Sequence, residues 1–184
     1  MLQQLTVLKM LFGLANTTTK RLLESRMIAA GLAMVLGGCC NPTLADRGTQ
    51  KSLQHMRVGS SKIVRVPACS MWTSTGVVVE QSELYRFESL PPDRWYDFFV
   101  SAPALGYDSI SPIQARLEGK RRVPSARWFA LCASIEPSGV PFAINLGNDQ
   151  PITHNGELGL FANDLSKAYW NNWGSLQVRV TRIQ

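Results

Sequence analysis

The sequence predicts an all-β fold, an antiparallel β-sandwich, over residues 63–184. Three observations carry this. About eight short runs rich in Val, Ile, Leu and aromatic residues are separated by clusters of Pro, Gly, Asn and Ser, the pattern of strands joined by tight turns. Prolines at 91, 92, 103, 112, 124, 137, 141 and 151 leave little room for a long helix, because each lacks an N–H and fixes φ. The last two runs alternate strictly: Leu158, Leu160 and Ala162 share one side, and Leu176, Val178 and Val180 share another.

In chain order, residues 20–26 form a basic flank and residues 27–36 an uncharged apolar run. The run is too short to span a membrane as a helix and suits the core of a secretory signal. It ends in Leu36, Gly37, Gly38 and Cys39, which resembles the lipobox of bacterial lipoproteins, where the Cys is acylated and becomes the mature N-terminus. Cys40 follows, not Asp, and by resemblance to the sorting pattern this favours the outer membrane. Residues 1–19, with a further apolar patch, are either an extended leader or lie ahead of a later start. The expected division is a signal peptide over 1–38, a lipidated tether over 39–62, and the sandwich over 63–184.

Residues 1–38 hold four of the 19 basic residues and one of the 13 acidic ones, so residues 39–184 carry +3 rather than +6. The basic balance is thus partly a property of the leader. The remaining basic cluster, Lys120, Arg121 and Arg122, is read as a solvated loop, since a nucleic-acid partner needs a broader basic face. No nucleic-acid partner is expected.

Strands are expected at 63–66, 76–79, 84–87, 95–100, 128–135 and 142–144, then in the two C-terminal runs. Residues 101–127 contain Pro103, Gly106, Pro112, Gly119 and Pro124 and read as a long excursion, a type of segment that often carries function. Cys69 and Cys132 either pair in an oxidising compartment or leave Cys132 as a buried inert thiol. With two His in the chain and no CxxC, there is no zinc pattern. His154 lies near Asp149 and Glu157 in sequence, but in a turn, where a surface His is the ordinary reading; nothing else points to catalysis, and the chain is not expected to be an enzyme.

Residues 163–174 are the polar centre of the chain. Asp164, Asn171 and Asn172 all offer oxygen, the donor that hard cations such as calcium prefer. The segment is either a calcium cradle or a hairpin loop rich in turn formers. Glu157, Leu158, Leu160, Phe161, Asn163 and Asp164, followed by Tyr169, Asn171, Asn172, Gly174, Leu176 and Val178, resemble the C-terminal half of the calcium-dependent galactophilic bacterial lectins of the PA-I type. Residues 75–79 and 84–87 resemble the family's opening strands, Arg94, Trp95, Asp97 and Phe98 the strand end that feeds its calcium site, and residues 129–135 its central strand. The resemblance covers about residues 70–183 and implies a jelly-roll, galactose-binding-like sandwich.

It also implies Ca2+ ligands: the side chains of Asp164, Asn171 and Asn172, the carbonyl of Ala168, and the carbonyl of Phe98. In these lectins sugar hydroxyls complete the calcium shell. Two departures limit the analogy. Residues 103–127 lack the family's sugar-contacting His-Pro-x-x-Gln stretch, so galactose specificity is not implied. Trp170 and Trp173 stand where the family has small residues, and they either stack on a sugar, fill the pocket, anchor a partner or pack internally. The expected function is a calcium-dependent carbohydrate-binding lipoprotein of the cell envelope, attached to the outer membrane through lipid on Cys39. The alternative is an interaction or structural lipoprotein on the same fold, its partner an envelope protein rather than a glycan. Either form is compatible with an oligomer.

Overall fold

A computed structural model describes residues 52–184. The leader, Cys39, Cys40 and the first part of the tether lie outside the described residues. In chain order the strands are β1 (Gln54–His55), β2 (Ser61–Pro67), β3 (Thr73–Val79), β4 (Leu84–Leu90), β5 (Trp95–Asp97), β6 (Val100–Ala102), β7 (Leu105–Tyr107), β8 (Trp128–Ile135), β9 (Phe142–Ala143), β10 (Asp149–Pro151), β11 (Gly156–Ala162) and β12 (Asn172–Arg182). A short helix, α1 (Pro112–Arg116), lies in the excursion.

The strands form two six-stranded sheets, as a sandwich requires. One has the order β1-β3-β11-β8-β7, with β9 also paired to β8; the other has the order β10-β4-β12-β5-β6, with β2 also paired to β12. All pairings are antiparallel except β1 with β3. The alternating residues meet between the sheets: Val64 and Val66, Tyr85 and Phe87, and Leu176, Val178 and Val180 from one sheet join Val77, Val79, Leu131, Leu158 and Leu160 from the other in a single buried cluster. Burial of this apolar surface is the main force holding the sheets together.

Strand β8 is buried along almost its whole length because both faces are covered. Phe129, Leu131, Ala133 and Ile135 face the core. Cys132 faces the other way, opposite Phe161 of β11, under Val123 and Ala126 of the excursion. This overturns the Cys69–Cys132 pairing: Cys132 is a free buried thiol, pushed up to about 12 by burial, while Cys69 is disulfide-bonded elsewhere.

Three further expectations are corrected. The tether does not extend to residue 62, since β1 pairs with Val77 and Val78 and Met56 is buried in the core. Residues 95–100 are not one strand. The chain reverses at Phe98, whose φ is +53°, and β5 pairs back on β6 with Trp95 opposite Ala102. The Lys120–Arg122 cluster is not a solvated loop: Arg121 donates to the carbonyls of Glu118 and Pro124 and lies over Trp128, and Arg122 lies 3.6 Å over the Phe161 ring.

Gly159 marks a register shift in β11, and a Cβ there would sit 1.9 Å from Nε1 of Trp72. The indole is a rigid plane that cannot yield at one atom. Gly159→Ala is therefore expected to destabilise the fold by about 1–3 kcal/mol, read as a lower urea midpoint with an unchanged slope.

Candidate functional site

The chain passes from one sheet to the other between β11 and β12, so residues 163–171 are a crossover rather than a hairpin loop. At its start Asn163 is fully buried and structural. Its Nδ2 donates to the carbonyls of Val123, Ala126 and Arg127, and its Oδ1 accepts from the N–H of Val123. These bonds fasten the excursion to the end of β11. At the crossover's far end, residues 169–171 form one turn of 3-10 helix that delivers Asn171 and Asn172 to the start of β12.

Asp164 and Asn172 are in direct contact, and Asn171 precedes Asn172 at the end of the 3-10 turn. Asp164 is 2% exposed; its Oδ1 accepts from the N–H of Leu165 at 2.7 Å and its Oδ2 from Nδ2 of Asn172 at 3.0 Å. Asn172 is also 2% exposed, and its Nδ2 additionally contacts the Ala68 carbonyl at 3.3 Å. The amide oxygens of Asn171 and Asn172 are buried and, among the described residues, have no hydrogen-bond partner. An orphaned buried acceptor costs about 1–3 kcal/mol, so each oxygen is open to a hydrogen-bond donor or a cation.

Asp97, which was not among the residues expected at this site, adjoins Asn171 and Asn172. It sits directly opposite Asn172 in the β5–β12 register, and its Oδ1 accepts from Nδ2 of Asn171 at 3.3 Å. Its Oδ2 accepts from the hydroxyl of Tyr107, which in turn accepts from Nε2 of Gln114 at 2.8 Å. The excursion thus reaches the site through Tyr107 and Gln114, which lack any recognisable spacing to it in sequence. The available signal was Asp97 itself, a carboxylate at the strand end already singled out.

The electrostatics follow from the packing. Burial, and then the Asp97 charge, raise the Asp164 carboxyl to about 6, against the opposing bonds from Asn172 and Leu165. Burial raises Asp97 as well, opposed by the bonds from Tyr107 and Asn171. Neither carboxylate is among the ion pairs of the described residues. The Asp164 carboxylate and the two free amide oxygens are hard oxygen donors, the type that calcium prefers, and the Asp97 carboxylate lies beside them. Among the described residues no group of three or more His, Cys, Asp and Glu is assembled.

The two carbonyls expected as ligands are nearby but engaged. That of Ala168 accepts from the N–H of Asn171 at 3.1 Å, and that of Phe98 accepts from Nε1 of Trp173 at 2.6 Å. Each carbonyl retains a second lone pair. The two tryptophans differ. Trp173 is stacked on Tyr96, with centroids 3.8 Å apart and planes 4° from parallel, so one of its faces is closed. Trp170 is 66% exposed and presents an open ring at the same crossover. His154 bonds the Thr153 hydroxyl, whereas Asp149 is paired with Arg86 and Glu157 accepts from Ser74.

No protein-family model matches the sequence, and no curated protein matches it. Among solved structures the chain is similar to one described as "EclA N-terminal domain; PllA-like lectin", at 20% identity, over 65% of this chain and 94% of that chain, with a TM-score of 0.46.

Proposed function

We propose that this protein binds carbohydrate through a calcium ion held at the crossover between β11 and β12. The observation that carries the reading is the pair of buried, unpartnered amide oxygens of Asn171 and Asn172 beside the buried carboxylate of Asp164. Those three side chains, with the free lone pairs of the Ala168 and Phe98 carbonyls, would hold the ion. When bound, calcium supplies a Lewis-acidic point that accepts vicinal sugar hydroxyls. The chain's own residues do the rest. Asn163 fixes the entry of the crossover, the 3-10 turn sets the spacing of Asn171 and Asn172, and Trp170 offers an apolar plane on which the face of a pyranose can rest. The sequence further supports attachment to the outer membrane through acylated Cys39.

A glycan array read with millimolar calcium and again with chelator tests this. Binding confined to the calcium arm is the expected result, with Trp170→Ala weakening it roughly two- to tenfold. Calcium binding with no glycan signal would instead favour an interaction module on the same fold. The closed face of Trp173 is the feature that favours this second reading.

A further inference from the structure

We propose that Asp97 is a second carboxylate ligand of the crossover site, opposite Asp164, so that the site carries two negative charges and balances a divalent cation. This rests on the cation reading above but assigns a residue outside the ligand set that the lectin resemblance implies.

The strand register is the first argument. Asp97 and Asn172 are direct cross-strand partners, so their side chains leave the sheet on the same side, with Cβ atoms about 4.5–5.5 Å apart. The Asn172 amide meanwhile touches Oδ2 of Asp164. The neighbouring Asn171 amide bonds Asp97, so the two adjacent amides each touch one of the two carboxylates, and among the described residues the oxygen of Asn172, on a side chain 2% exposed, has no partner.

Second, Asp97 is held as a ligand is held. One oxygen accepts from the Tyr107 hydroxyl, itself fixed by Gln114, while the other has only the 3.3 Å contact from Asn171. An outer partner that orients one carboxylate oxygen and leaves the other available is the usual support of a metal-binding carboxylate.

Third, the charges need an answer. Asp97 is partly buried and Asp164 buried, and no Lys, Arg or His pairs with either among the described residues. Like charges brought together out of water repel, and a divalent ion between them removes the repulsion and fills the empty lone pairs of Asn171 and Asn172 together.

Calcium calorimetry on the wild-type protein and on Asp97→Asn tests the assignment, with melting temperatures recorded in chelator. The expected result is a calcium affinity lowered at least about tenfold in Asp97→Asn, since ligand charge count tunes calcium sites over orders of magnitude. In chelator the variant should melt at or above the wild-type temperature, because one of two repelling charges is gone; a residue that merely held the β5 turn would lower it. Should Asp97→Asn not fold, Asp97→Ser is measured instead. A variant affinity within twofold of wild type overturns the assignment while leaving the calcium reading intact. A wild-type protein that binds no calcium overturns both.

Discussion

Asn163→Ala is expected to cost about 3 kcal/mol of unfolding free energy, read from urea unfolding followed by Trp fluorescence. The side chain is fully buried and makes four bonds to residues 123–127. Truncation orphans the Val123 N–H and removes the donor that three carbonyls share. The carbonyls of Val123 and Arg127 keep backbone donors from Ala126 and Ala130, which is why the expected loss lies well below four full bonds. Val123 and Ala126 cover Cys132 and Phe161, so the same change should expose the Cys132 thiol. That thiol is pushed up to about 12 and should react with a disulfide reagent faster in the variant than in wild type, before global unfolding. Asn163→Asp should be worse than alanine, because it directs a carboxylate at the three carbonyls. A loss under about 1 kcal/mol for Asn163→Ala would mean the excursion is not held there.

Asp164→Asn is expected to reverse sign with conditions. In chelator near neutral pH the wild-type carboxylate is charged, buried and close to Asp97, and the folded state bears that cost. Its carboxyl rises from 3.8 to about 6 on folding, so the folded chain binds more protons than the unfolded one between those values. This group's contribution to stability without calcium should therefore be largest below about pH 4, fall as pH rises through 6, and level off above 7, a change on the order of 3 kcal/mol. Asp97, raised in the same direction, adds the same sign. Asp164→Asn removes this group's share of the slope, leaving that of Asp97, and should be the more stable protein in chelator at pH 7.5. In excess calcium the order inverts. Wild type gains stability by mass action, about 2.7 kcal/mol at a hundred times the dissociation constant, and the variant gains none. Because protons and calcium compete for the same oxygens, the calcium-dependent gain should shrink as pH falls through 6.

The parts of this architecture that were legible in the sequence are those with periodicity or concentrated donors. Leu176, Val178 and Val180 announce a half-buried strand by alternation alone, and β12 runs through them as expected. Asp164, Asn171 and Asn172 sit within nine residues, so one crossover brings them together without help from distant chain. What escaped was carried by geometry that leaves no local trace. Strands β5, β6, β7 and β10 have three residues each, too few to show a period. The reversal at Phe98 places a bulky aromatic at positive φ, where turn chemistry would lead one to look for Gly or Asn. Asp97 reaches Asn171 across 74 positions, a separation at which only the register of β5 on β12 fixes the contact. Arg121 and Arg122 look like solvated charge but cover Trp128 and Phe161, since long cationic side chains bury their stems and stack on rings.

Calcium titration by calorimetry at pH 7.5, comparing the wild-type protein with Asp164→Asn, tests the central claim most directly. One calcium per chain in wild type, lost in Asp164→Asn, is the result expected from a site built on the Asp164 carboxylate and the free oxygens of Asn171 and Asn172. No binding heat up to millimolar calcium, or equal affinity in both proteins, would contradict it.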